Sequence, residues 1–179
     1  TNGPGKLAIA MGITKQLSGQ NLTVAKNIWI EDHGNFVESK EILMIKYFSS
    51  TDFVINDKPH ITSWIEGVIN KESRLLEKLV FNFCSDESLL KINKEFLNHD
   101  TLTDVITFDY SSSKAVSGEV FISVDRVREN AKEFHQDFNN EIKRVMIHGV
   151  LHLCGYNDKT AKDKALMSDM ENRHLAFFS

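Results

Sequence analysis

From Met44 onward the chain alternates short apolar runs with amphipathic stretches, and that alternation confines it to a layered α/β architecture. Ile45 to Ser50 is short and β-rich, and Leu79 to Cys84 is a compact apolar run of the kind a buried strand requires. Val105 to Tyr110 and Glu119 to Ser123 complete the strands, separated by the polar loop Ser111 to Ser117. Asp57-Lys58-Pro59 opens a helix with proline in its first turn, where a missing N–H costs nothing. Ile61, Trp64, Ile65, Val68 and Ile69 then recur at helical spacing. Ser85 or Asp86 caps a second helix, with Leu89, Leu90, Ile92 and Phe96 on its apolar face. Asp125 begins a third helix running to about His135, Asn139 or Asn140 begins a fourth, and Lys162 to Phe178 forms the last. The pattern predicts an α/β fold, a mixed four-stranded sheet packed with about five helices, as a single domain over residues 44–179. A chain of 179 residues has room for one such domain and little more.

The fourth helix carries the chemistry. His148 and His152 stand four apart, so on a helix they share one face about one turn from each other. Two imidazoles in that relation can bind one metal ion without distorting the backbone. Gly155 is a natural helix stop, after which Tyr156, Asn157 and Asp158 can fold the chain back. Asp158 is the nearest acidic oxygen donor beyond that turn. Two nitrogens and one carboxylate leave a tetrahedral ion one open position, the arrangement of a catalytic rather than a closed structural site. The plain alternative is a pair of ordinary helix histidines. An HExxH peptidase is disfavoured, because the position of its water-activating glutamate is occupied here by Gly149.

The stretch His148-Gly149-Val150-Leu151-His152-Leu153-Cys154-Gly155-Tyr156 resembles the signature of the YbeY endoribonuclease family of bacterial ribosomal RNA maturation factors. It departs at Asn157, where the family has aspartate, and at Asp158, where it has a third histidine. A second stretch is similar to another motif of that family through Asn93, Asp100, Thr103, Asp104, Val105 and Phe108. Within it Leu97 replaces an arginine that the resemblance assigns to phosphate contact, and Leu102 replaces a proline. Leucine offers no donor, so that contact must come from elsewhere. Ser117 to Ser123 is similar to a third, strand-forming motif. The resemblance covers residues 44–179 and implies a metal-dependent, single-strand-specific endoribonuclease in the maturation of the small-subunit ribosomal RNA 3′ end and in ribosome quality control. It implies one zinc ion on His148, His152 and Asp158, with the carboxylate leaving the ion's identity open, and RNA with the ribosome or its small subunit as partners. Asp104 can then orient a ligand histidine from behind or help position water, a structural hydrogen bond being the alternative, and Asn93 and Thr103 are candidate substrate contacts. The rival reading is a ribosome-associated assembly factor with a structural metal and little or no cleavage.

Net charge and cysteine content narrow the setting. A formal charge of −4 argues against a broad, nonspecific nucleic-acid binder, so affinity for RNA must come from a local groove and the metal. Arg126 with Arg128, and Lys143 with Arg144, read as solvated helix faces. Cys84 and Cys154 read as thiols rather than a disulfide, which suits a reducing cytoplasm, and Cys154 points off the histidine face. No apolar run reaches the length of a membrane span, and no membrane association is expected. His60, His135 and His174 read as surface or capping residues, like His33, while His99, between Asn98 and Asp100 in the second motif, reads as a loop-packing residue with a functional role as the alternative.

Residues 1–43 do not belong with the rest. Asn2 to Leu7, Ala10 to Ile13, Asn21 to Thr23 and Ile28 to Asp32 resemble a piece of the alkylpurine (3-methyladenine) DNA glycosylase family. The resemblance covers a late fragment without the segments that hold that family's catalytic acid and base-flipping wedge. The expectation is a remnant, disordered or loosely packed, with no DNA repair activity.

Overall fold

A computed structural model describes residues 44–178, so the readings of residues 1–43, the glycosylase-like stretch and His33 among them, lie outside the described residues. The described chain runs β1 (Ile45–Ser49), α1 (Lys58–Lys71), β2 (Leu75–Cys84), α2 (Asp86–Ile92), β3 (Val105–Asp109), β4 (Ala115–Ser123), α3 (Val124–Glu133), α4 (Phe138–Leu153) and α5 (Ala161–Leu175). A π-helical turn at Asn93–Leu97 follows α2 directly. The strands form one mixed sheet, as the alternation implies, and their order is β1-β2-β4-β3. β1 and β4 lie parallel to β2, and β3 returns antiparallel to β4. The parallel pair β1 and β2 is joined through α1, since a parallel neighbour demands a crossover.

Leu79, Phe81 and Phe83 of β2 and Val120 and Ile122 of β4 are buried in one core with Ile65 and Ile69 of α1 and Met146, Ile147 and Val150 of α4. A smaller cluster of Cys84, Leu89 and Ile106 gathers Ile92, Phe108 and Phe121 around it. Alternate residues of one strand thus serve different clusters, as the two-residue period of a strand requires. α4 is the most enclosed helix. Its buried residues run from Glu141 and Ile142 to Leu153, leaving only a narrow polar stripe that includes His148 and His152. Gly149 lets it lie close on the sheet, because a Cβ there would come within 2.6 Å of Val120 Cγ1. That position does steric rather than chemical duty.

Several boundaries differ from the sequence reading, each for a local reason. β2 starts at Leu75, not Leu79, since Leu75 and Leu76 pair with Ala115 and Val116, and a bulge at Glu77 precedes the pairing of Lys78 with Ser117. β4 correspondingly starts at Ala115 and takes in the end of the polar loop. α3 starts at Val124 rather than Asp125, because Ser123 Oγ accepts from Arg126 N at 3.1 Å and is the cap. α4 starts before Asn139 and Asn140: Asp137 Oδ1 accepts from both their amides, at 2.8 and 3.3 Å. Phe96 leaves the apolar face of α2 and is 58% exposed, since the π-helical turn shifts it out of the 3.6-residue register. Its ring meets Phe108 edge-on at 5.5 Å.

The basic pairs are less solvated than expected. Arg126 Nη2 lies 2.5 Å from Asp86 Oδ2, and Arg144 Nη1 lies 3.1 Å from Glu171 Oε2. His174, read as a surface residue, is 1% exposed. Cys84 and Cys154 are free thiols, as expected, and burial pushes both up to about 11, so neither is a thiolate near neutral pH. Among the described residues no helix is long and apolar enough to cross a membrane.

Candidate metal centre

α4 ends in a turn that its sequence dictates. Cys154 is the last capping residue, and Gly155 follows at φ 102°, a conformation that favours glycine. Gly155 N donates to His152 O at 2.9 Å and Tyr156 N to Leu151 O at 3.0 Å, the paired bonds of a Schellman stop. The reversal brings Asp158 back to the last turn of α4, where Asp158 Oδ2 stands 4.0 Å from both His148 Nε2 and His152 Nε2. The three ligating atoms proposed by the spacing therefore converge within 4.8 Å of one another.

The partners of the rings fix what those atoms can do. His148 Nδ1 lies 2.8 Å from Glu171 Oε1, and His152 Nδ1 lies 3.0 Å from the Tyr156 carbonyl oxygen. A carboxylate and a carbonyl only accept, so both Nδ1 atoms carry the hydrogen and donate. In the neutral rings each Nε2 then presents a lone pair, and the two Nε2 atoms face each other at 2.9 Å. Two lone pairs and a carboxylate oxygen pointed at one spot repel unless a cation lies among them. A proton or a metal ion meets that need, and ring nitrogens with a carboxylate are a donor set of a divalent transition metal. The residues fit the ion.

Proton affinity divides unequally across the pair. Burial lowers that of His148, but the hydrogen bond and charge of Glu171, with Asp104 and Asp158, outweigh it and hold its pKa above the ordinary 6.5. Burial and the neighbouring His148 hold that of His152 below 6.5. The pair thus takes its first proton on His148.

Behind the site two carboxylates do the orienting, and neither stands out in the sequence. Glu171, on α5, is 7% exposed and also receives Arg144. Its visible signal is a charged residue on the helical stripe Met167, Met170 and His174 that faces inward. Glu72 follows α1. Tyr156 Oη donates to Glu72 Oε2 at 2.7 Å, and His174 Nε2 donates to Glu72 Oε1 at 3.0 Å. Trp64 Nε1 holds the His174 carbonyl at 3.0 Å. The turn that orients His152 is therefore fastened from α1 and α5 together.

A cleft of about 390 Å³ opens beside the histidines, and Asn93, Thr103 and Asp104 line it with them. Asp104 Oδ2 accepts from Asn130 Nδ2 at 3.3 Å, so the hydrogen bond that orients His148 comes from Glu171, while Asp104 acts on His148 through charge. Asn93 is 3% exposed and its Nδ2 donates to Thr101 O at 2.7 Å. Thr103 Oγ1 donates to Val105 O at 3.3 Å. Leu97, 46% exposed, and His99 line the same cleft.

Residues 47–179 match the family described as Endoribonuclease YbeY. A Flavobacterium johnsoniae protein named Endoribonuclease YbeY is 45% identical over 135 residues, 75% of this chain and 97% of that protein. Its namesake from Flavobacterium psychrophilum is 47% identical over 135 residues, 75% of this chain and 96% of that one. A solution structure of a Thermotoga maritima protein superimposes with a TM-score of 0.54 at 27% identity, covering 75% of this chain and 89% of the other.

Proposed function

The chain belongs to the Endoribonuclease YbeY family, and from that premise we propose that it is a metal-dependent, single-strand-specific endoribonuclease of ribosomal RNA maturation. Its substrate is the 3′ end of the small-subunit ribosomal RNA, its partner the ribosome or small subunit, and its setting ribosome quality control in the cytoplasm. The carrying observation is the convergence of His148 Nε2, His152 Nε2 and Asp158 Oδ2, with both histidine Nδ1 atoms already committed to acceptors. His148, His152 and Asp158 would hold the metal, for which zinc is the proposed identity. Zinc bound there would supply Lewis acidity toward a phosphoryl oxygen and acidify a water.

The protein's own groups do the rest. Glu171 and the Tyr156 carbonyl keep both imidazoles turned toward the ion. Asp104 stands at the cleft as a negative charge that favours a cation near His148. Thr103 offers a hydroxyl to the substrate, and Asn93 holds the wall of the cleft through Thr101. With Gly149 unable to act as a base, no side chain within the histidine motif competes for that role.

The test is cleavage of a precursor of small-subunit ribosomal RNA by purified protein, with and without chelator, beside an identically purified His152→Ala variant. Defined cuts that vanish in both controls and return with added metal are the expected result. Equal cutting by wild type and variant, or none by metal-loaded wild type, overturns the reading.

A further inference from the structure

A cleft that accepts a phosphodiester needs positive or hydrogen-donating groups, yet none of the described residues lining this one is lysine or arginine. The wall carries two carboxylates, Asp104 and Asp158, and the apolar side chains of Leu97 and Leu102. Besides the two histidines already placed at the metal, it carries one further imidazole, that of His99. The His99 ring has no hydrogen bond or ion pair within the described residues. Asn93, the other nitrogen donor on the wall, has its amide engaged with Thr101 O.

The backbone around His99 is held on both sides. Asn98 closes the π-helical turn in the left-handed region at φ 57°, which redirects the chain toward the cleft. His99 N donates to Asn93 O at 3.3 Å, and Asn93 Nδ2 reaches over to Thr101 O at 2.7 Å. One buried asparagine thus grips the chain before and after His99. Asp100 is paired with Lys94 at 2.7 Å, so the carboxylate adjacent in sequence has its own cation. The main chain is fixed while the ring keeps its donor unspent, as a group that meets a ligand does.

We propose that His99 is a substrate-binding residue of this cleft: a ring N–H donates to a non-bridging phosphate oxygen of the single-stranded RNA lying between Asp104 and Leu97. The proposal rests on the endoribonuclease reading and supplies the phosphate contact that Leu97 cannot make.

Two measurements on metal-loaded protein separate the two ideas. The first is kcat/KM on a single-stranded RNA oligonucleotide. The second is anisotropy with a 2′-O-methyl oligonucleotide of the same sequence, which reads binding whether or not the protein cuts. His99→Ala is expected to lower kcat/KM and weaken binding by roughly ten- to a hundred-fold, the effect of losing a hydrogen bond to a charged group. His99→Gln, which keeps an N–H donor, and His99→Arg are expected to recover much of that loss. Zinc affinity and thermal midpoint stay at wild-type values in all three, which a merely structural role for His99 does not permit. His99→Ala indistinguishable from wild type in binding overturns the proposal, as does a loss that neither His99→Gln nor His99→Arg repairs. Absence of cutting by wild type with a His99-dependent binding loss overturns the enzyme reading and leaves the contact standing.

Discussion

His148 Nε2 and His152 Nε2 face each other at 2.9 Å while each Nδ1 is spent on an acceptor, so in the neutral protein the gap between them contains lone pairs and no hydrogen. A proton and a metal ion would therefore compete for one place. Because the pKa of His148 lies above 6.5, zinc affinity is expected to climb as pH rises through that value, by roughly ten-fold per pH unit for each proton displaced. Zinc titrations across neutral pH check this, and an affinity independent of pH refutes it.

The metal-free protein should respond in the opposite sense above pH 6.5. The raised pKa of His148 contributes stability that is full below 6.5 and is lost as pH rises through its folded value. The lowered pKa of His152 contributes stability present above 6.5 and lost as pH falls through its own folded value. From this pair alone, chelated protein is most stable near pH 6.5, which urea midpoints as a function of pH will show.

Glu171→Gln removes the charge that orients His148 and leaves the half-buried Arg144 without its carboxylate. Zinc affinity should fall by roughly 10- to 100-fold, the usual cost of losing such a partner. Calorimetric titration at fixed pH reads it.

Tyr156→Phe deletes the bond to Glu72 but keeps the carbonyl that His152 uses. The chief loss is expected in stability, about 1–3 kcal/mol for an unpaired carboxylate oxygen, with a smaller fall in zinc affinity than Glu171→Gln causes. Denaturation and metal titration on the same two variants decide between these weights.

Gly149→Ala sets helix propensity against packing. Alanine is worth about 1 kcal/mol more than glycine in a helix interior. Against that stands a Cβ 2.6 Å from Val120 Cγ1 on a buried, β-branched side chain, and overpacking costs about 1–3 kcal/mol. A net destabilisation of about 1 kcal/mol is expected from chemical denaturation, and a stabilised variant contradicts the close approach of α4 to β4.

What could be read from the sequence was local. The four-residue spacing of His148 and His152, the stop at Gly155 and the return of Asp158 all sit within eleven consecutive residues, where helix geometry and turn chemistry suffice. Strand alternation likewise fixed the sheet's membership. Glu171 and Glu72 escaped because their meaning depends on partners far along the chain, and an acidic residue on a helix is ordinarily solvated. The start of α4 was missed because two asparagines mimic caps while Asp137 serves them both. Phe96 was misplaced because a π-helical turn obeys a different period from the helix before it.

The fastening of His148 by α5 and of the Tyr156 turn by Glu72 and His174 has a temporal consequence. α4 with its closing turn can aim His152 at the Tyr156 carbonyl, but it lacks the acceptor that aims His148, which Glu171 supplies only when α5 has docked. A metal that binds His148, His152 and Asp158 is therefore expected to gain its full affinity only after α5 has docked on α4. A chain in which α5 has come away keeps both histidines but loses the carboxylate that turns His148 toward the shared point.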